Sequence, residues 1–397
     1  MQIECSECHR ELSADQQCEC GGLPSFCAPT VRIDPVGYTR VVRARRMRDD
    51  AVDCSGVWRF RELLPMIEHS EIVTLGEGNL PLYLARDGAV FAKTKAVAYL
   101  HLGMNPTGSF KDLGMTVAVS AARASGAKGV VCASTGNTAS SMAAYAARAG
   151  LRAYALVPRG KISAAKLAQT RDYGAEIIEV DGSFDDAFTH LSSVATGDIM
   201  AVNSTNPYRL EGQKCAAFVL LERRNWTVPD WLILPGGNLG NVSAFGKGFR
   251  EALALGFINR LPRIAVVQAT GAAPFAHAWE SQRELIPVIP QTLASAIAVG
   301  APKSWRRATN ELRAASGIAL HVSDEEIDAA KAVIGSEGIG CEPASAASLA
   351  GLRVLRTRGV IGEFEDVVCV LTGHVLKDSV ASLRVADARE ERARNAT

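Results

Sequence analysis

The sequence predicts an α/β protein with two domains, each a sheet layered between helices, behind a short cysteine-bearing segment. Three observations carry this. From about residue 100, short β-rich runs alternate with alanine-rich amphipathic stretches that end at glycines such as Gly126, Gly150 and Gly174. That alternation is the signature of parallel strands joined by right-handed crossovers. Polar loops follow apolar runs at 134–138 and at 236–241, each just ahead of a helical pattern. Finally, 397 residues suffice for two or three domains with a substantial core.

Composition narrows the class. The chain is 48% hydrophobic and 21% charged with a formal net charge of +1, the profile of an ordinary globular protein. Near-neutral balance gives no general reason to expect nucleic acid or acidic membranes as partners. No apolar run reaches the roughly 18 to 20 residues that span a bilayer, and the Met1-Gln2-Ile3-Glu4-Cys5 start lacks a basic-then-apolar signal. A cytoplasmic protein is therefore expected, with no membrane or nucleic-acid partner. Five of the ten cysteines crowd the first 27 residues and the rest are scattered singly, which argues against a secreted disulfide scaffold.

Taken in order, Cys5-x-x-Cys8 and Cys18-x-Cys20, the latter followed by Gly21 and Gly22, read as two turns that gather four thiolates. A closed tetrahedral Zn2+ site of structural type fits them. The second pair has one intervening residue instead of the usual two, so His9 or Cys27 is an alternative ligand. Arg40, Arg43, Arg45, Arg46 and Arg48 form a basic run. Without interleaved aromatics for base stacking it reads as a solvated linker pairing with Asp49, Asp50 and Asp53. Strands are expected at 129–133, 153–157, 176–180, 231–235, 263–268 and 366–371. Ser323-Asp324-Glu325-Glu326 opens a helix as a capping box. After Asp378 the chain becomes charged and is expected to fray.

Chemistry centres on Asn105-Pro106-Thr107-Gly108-Ser109-Phe110-Lys111-Asp112. Lys111 sits behind a tight polar turn at a helix start, where desolvation and the positive helix end both disfavour its charge, which suits a Schiff-base lysine. The 134–138 loop offers amides and the hydroxyls of Ser134, Thr135 and Thr138 to an anion such as an amino-acid carboxylate. Gly236, Gly237, Asn238, Leu239, Gly240 and Asn241 make a second anion nest ahead of a helix. It is not the dinucleotide fingerprint, because Pro235 stands in place of the first glycine, and it is not a P-loop, because no Gly-Lys-Ser/Thr follows.

The order NPTGSFKD (105–112), ASTGNT (133–138), NSTNPYRLEGQK (203–214), LPGGNLGN (234–241), EPASAAS (342–348) and LTGH (371–374) resembles the threonine synthase family, over about residues 53 to 378. SFKDLGMTV, PDWLILPGGNLGN and ASAIAVG look closest to the plant type, and ASTGNT to the bacterial form. The resemblance implies a fold-type II pyridoxal 5'-phosphate scaffold, similar to tryptophan synthase β. Residues 51–99 and 204–380 would form the large cofactor-binding domain and 100–203 a small mobile domain. Residues 1–50 would be a zinc-ribbon-like segment and linker, and 381–397 a charged tail. By the same resemblance Lys111 carries the cofactor as a Schiff base, the 236–241 loop holds its phosphate, Asn137 contacts the ring hydroxyl and Thr372 faces the ring nitrogen. Asn203, Ser204 and Arg209 match the grip on a substrate phosphate, with Lys161 a further candidate.

The implied reaction is conversion of O-phospho-L-homoserine and water to L-threonine and phosphate, by a homodimer as is usual for such enzymes. Leu80 stands where the family usually has threonine, which removes one polar group near the site. The alternatives are a related lyase or β-replacement enzyme acting on another amino acid, and a non-catalytic zinc-ribbon binding protein.

Overall fold

Runs such as Gly129–Ala133 and Trp231–Pro235 are buried at every position, as strands covered on both faces must be. The structure is a computed structural model and describes residues 1–16, 18–86, 97–159, 164–182 and 184–378. Its strands are β1 (Ile3–Cys5), β2 (Pro24–Phe26), β3 (Leu82–Leu84), β4 (Val97–His101), β5 (Gly129–Ala133), β6 (Arg152–Pro158), β7 (Glu176–Val180), β8 (Ile199–Ala201), β9 (Trp231–Pro235), β10 (Arg263–Ala269), β11 (Ile318–Val322) and β12 (Val367–Leu371). The helices used below are α1 (Pro35–Arg46), α2 (Lys111–Ala124), α3 (Asn137–Ala149), α4 (Pro207–Arg223), α5 (Gly240–Ala254) and α6 (Pro343–Thr357). Among the described residues no helix is long and apolar enough to cross a membrane.

Packing gathers the chain into two units. The first comprises Met1–Asn79, Asn105–Glu222 and Ser243–Asn259. Its four-stranded sheet, in the order β7-β6-β5-β8, is parallel throughout, and β1 and β2 form a separate antiparallel pair. The second unit comprises Leu80–Met104, Arg223–Val242 and the chain from Arg260 onward. It holds a six-stranded sheet in the order β11-β10-β9-β12-β4-β3, parallel except for the antiparallel edge strand β3. Helix α6 packs on this sheet: a Cβ on Gly351 would meet Val267 at 2.3 Å.

Local signals explain the element ends. Gly150 ends α3 in the left-handed region at φ +71°, which glycine enters without a Cβ clash. Ser323 and Glu326 form the reciprocal capping box at the start of the helix Asp324–Ser336. The basic run lies largely on α1, where Arg45 and Arg48 pair with Glu62 and Asp53, and Arg46 with Glu222. Lys161 and the 381–397 tail lie outside the described residues.

The two units cut the chain differently from the expected division. Segments 51–79, 204–222 and 243–259 group with the four-stranded sheet, and 100–104 with the six-stranded one. Within this first unit helices pack closely where side chains are missing. A Cβ on Gly212 of α4 would lie 1.9 Å from the Leu113 carbonyl of α2, and one on Gly114 would lie 2.6 Å from the Arg209 carbonyl. On α5, a Cβ on Gly248 would meet the Lys214 carbonyl at 2.7 Å. Three helices thus touch backbone to backbone, closer than any side chain permits. Gly212→Ala should therefore lower stability by about 1–3 kcal/mol through overpacking. An unchanged urea midpoint would show that α2 and α4 can part freely.

Candidate active site

In the first unit, the turn before α2 is built around one carboxylate. Asp112 is fully buried, and its Oδ2 accepts from the Thr107 amide at 2.7 Å. Its Oδ1 accepts the hydroxyls of Thr107 and Ser141, each at 2.6 Å. Burial pushes the Asp112 carboxyl up to about 6, against the lowering effect of the Ser141 and Thr107 donors. Gly108 takes φ +86° within the turn, and the Asn105 side chain accepts from the Gly78 amide at 2.8 Å. Lys111 follows as the first residue of α2, half-buried, its Nζ 4.1 Å from the centre of the Phe110 ring.

The 134–138 loop joins β5 to α3, and all five residues are half-buried. Gly136 precedes α3 and, lacking a side chain, gives it no side-chain cap. Ser134 Oγ accepts from the Gly136 amide at 3.3 Å, which engages one lone pair and leaves its proton for another partner. Thr135, Asn137 and Thr138 complete the loop as the sequence predicts.

The three residues matched to a phosphate grip divide. Asn203 is turned onto the end of β5: its Oδ1 accepts from the Ala133 amide at 3.0 Å and its Nδ2 donates to the Ala133 carbonyl at 3.3 Å. Only the second Nδ2 hydrogen therefore remains for an anion. Ser204 is half-buried beside it. Arg209 is fully buried, and its Nη1 donates to the Val202 carbonyl at 3.2 Å while Nε and Nη2 have no hydrogen-bond partner. Burial pulls its guanidinium down to about 10. Two acids on the same helix are committed elsewhere: Glu211 to Lys214 and Lys247, Glu222 to Arg46 and Arg59.

In the second unit, the 236–241 loop runs from β9 into α5. The Gly236 amide donates to the Val267 carbonyl at 2.7 Å, so it is spent on β10 and the nest narrows to 237–241. A Cβ on Gly236 would strike Val266 at 2.6 Å, and one on Gly237 would crowd the backbone of Ala296 and Ile297 at 3.2 Å. Asn238 Oδ1 accepts from the Lys303 amide at 2.6 Å, which anchors the loop. Leu239 sits at φ +63° with its side chain buried. Both amide atoms of Asn241 and the hydroxyl of Ser304 are buried without hydrogen-bond partners. Orphaned donors beside a glycine-lined turn fit an anionic group such as a cofactor phosphate. Ser304 carried no signal in the sequence.

Thr372 follows β12, buried, with its Oγ1 3.2 Å from Ser345 Oγ and donating at 3.4 Å to Glu342 Oε1. Ser345 Oγ accepts from the Gly373 amide at 2.9 Å. A Cβ on Gly373 would meet the Glu342 carboxyl at 2.3 Å. The EPASAAS segment therefore acts on Thr372, which sequence reasoning did not resolve. Leu80 is a core residue.

At the amino terminus, the Sγ atoms of Cys5, Cys8, Cys18 and Cys20 all lie within 4.8 Å of one another. The group excludes His9, whose Nδ1 meets Glu4 at 3.1 Å, and Cys27.

Comparison with known proteins follows this geometry. Residues 73–373 match the family described as pyridoxal-phosphate dependent enzyme. The threonine synthase of Methanocaldococcus jannaschii is 42% identical over 390 residues, covering 96% of this chain and 94% of its own. That of Synechocystis is 45% identical over 329 residues, covering 80% and 82%. The crystal structure of threonine synthase from Escherichia coli superimposes with a TM-score of 0.72 over 97% of this chain and 91% of that one. At 20% identity that likeness speaks for the fold alone.

Proposed function

The chain belongs to the pyridoxal-phosphate dependent enzymes, among the threonine synthases, and on that premise we propose that it converts O-phospho-L-homoserine and water to L-threonine and phosphate. The observation that carries the substrate half is Arg209. A buried guanidinium with two unpartnered nitrogens and, among the described residues, no ion pair to a carboxylate is costly. A phosphate dianion repays that cost through a two-pronged bond.

The remaining residues take roles by chemistry. The 237–241 nest with Asn241 would hold the cofactor phosphate, Asn137 its ring hydroxyl, and Thr372, steered by Ser345 and Glu342, its ring nitrogen. When bound, the cofactor supplies an electron sink for charge that develops on the substrate. Ser134, Thr135 and Thr138 would orient the substrate carboxylate at the start of α3. Arg209, with Ser204 and the second Nδ2 hydrogen of Asn203, would hold the phosphate as the Cγ–O bond breaks. Lys111 Nζ would take the proton from the α carbon and move protons at the β carbon. Water then gives its hydroxyl to the β carbon, and the γ carbon ends as a methyl group. The four amino-terminal thiolates would hold a structural Zn2+.

Three outcomes test this. Lys111→Ala should abolish both phosphate release from O-phosphohomoserine and the visible absorption of the loaded protein, and retained turnover would refute the assignment. Arg209→Ala should raise the KM for the phosphorylated substrate at least about tenfold, the effect of losing one charged hydrogen-bond pair. Were loss of cofactor to dominate instead, Arg209 would belong to the cofactor's phosphate. Metal analysis of the purified protein should give one zinc per chain, lost on Cys8→Ser; a metal-free, stably folded parent would sink the zinc site.

A further inference from the structure

The buried carboxylate of Asp112 is used by none of the roles above, yet it touches both elements that carry them. Its partners come from two sides. The Thr107 amide and hydroxyl belong to the turn that presents Lys111, and the Ser141 hydroxyl belongs to α3, one turn beyond Asn137 and Thr138. One helical turn further along α3, the Tyr145 hydroxyl donates to Glu77 at 2.8 Å. Glu77 is itself buried and accepts from Ser55, Thr74 and the Leu75 amide. Helix α3 is therefore pinned at two heights by two carboxylates, and only the first belongs to the lysine turn.

We propose that Asp112 is a positioning residue for the reaction: it ties the Lys111 turn to the first turns of α3, so that the amine and the carboxylate-binding loop keep one fixed geometry. The proposal rests on Lys111 being the cofactor lysine. Placement of reacting groups to within fractions of an ångström governs rate, and a 1 Å error is worth up to about 100-fold. Three short bonds to one carboxylate, from two segments about 30 residues apart in sequence, are the kind of constraint that holds such placement.

The group is also expensive to keep. Burial and the nearby Glu77 raise the Asp112 carboxyl to about 6 from its ordinary 3.8. Among the described residues the charged group acting on it is Glu77, with the neutral Tyr145 hydroxyl on α3. A carboxyl whose folded value lies above its unfolded one favours the fold at pH below about 4, and that advantage disappears as pH rises through about 6. At neutral pH the ionised group costs stability, as positions retained for function do.

The experiment follows the condensation of Lys111 with the aldehyde of added pyridoxal phosphate in cofactor-stripped protein, which releases one water and brings visible absorption. It is paired with kcat and KM on the reloaded enzyme. Asp112→Ala should slow condensation and lower kcat at least about tenfold with KM changed less than about twofold. Ser141→Ala should do the same to a smaller degree. Asp112→Asn can accept from the Thr107 amide and donate to both hydroxyls, so it should rescue condensation. Its urea midpoint should gain on the parent's as pH rises from 4 to 7. Tyr145→Phe, on the same helix, should lower the urea midpoint without slowing condensation. Parental condensation in Asp112→Ala would overturn the proposal, as would equal slowing in Ser141→Ala and Tyr145→Phe. Should Asp112→Ala fail to fold, that last comparison decides. Lys111→Ala separates the two levels: capture of cofactor by that variant would sink the lysine assignment itself.

Discussion

Two absent side chains bring the lysine and the guanidinium together. The first turn of α2 lies against the first turn of α4 because Gly114 and Gly212 let main chain touch main chain, at Arg209 and at Leu113. Lys111 begins one of these helices, and Arg209 sits at the start of the other. Their separation is therefore set by backbone contact, the stiffest spacing available in a folded chain. The Thr107–Asp112–Ser141 bonds then fix α3 against the same turn. Everything assigned to substrate in this unit hangs on that three-helix junction.

The electrostatics of α4 explain why Arg209 keeps open valences. Two residues further along, Glu211 is fully buried with Lys214 and Lys247, and Glu251 joins the group from α5. Burial works against the charges of Glu211 and Lys214, and there the neighbours win: the Glu211 carboxyl is held below its usual range and the Lys214 ammonium above, while at Glu251 burial prevails and raises the carboxyl. A closed quartet of two positive and two negative groups neutralises itself. It has no charge to spare for a guanidinium two residues away. Segregating the neutralised quartet from the arginine leaves a buried positive site with no ion-paired acid among the described residues.

Much of the fold was legible because its signals are local. β5, β7 and β9 coincide with the expected runs, and the Ser323 capping box forms as its spacing requires. The Lys111 turn, the 134–138 loop and the 236–241 loop stand at strand-to-helix or turn-to-helix junctions, where alternation and glycine placement put them. What escaped depends on contacts distant in sequence. Nothing in Asn203 announces that its amide will face Ala133, some 70 residues earlier, nor in Gly236 that its amide will be claimed by β10. The close packing of 243–259 on α4 uses Gly248, which reads in the sequence as one more helical glycine. Composition and periodicity report what a segment is; they are silent on which carbonyl a missing methyl will admit.

Lys247 gives the amino-terminal segment a weight that its size conceals. Its ammonium donates to the Phe26 carbonyl at the end of β2, while the Phe26 ring meets Tyr208 edge-on at 4.9 Å. The cysteine hairpin thus supplies a neutral oxygen to an otherwise all-ionic quartet and a ring to the neighbour of Arg209. A chain shorn of its first 27 residues would open the Lys247 ammonium and the Tyr208 ring to water, so the small module serves as a cork for the interior and not as an ornament hung upon it.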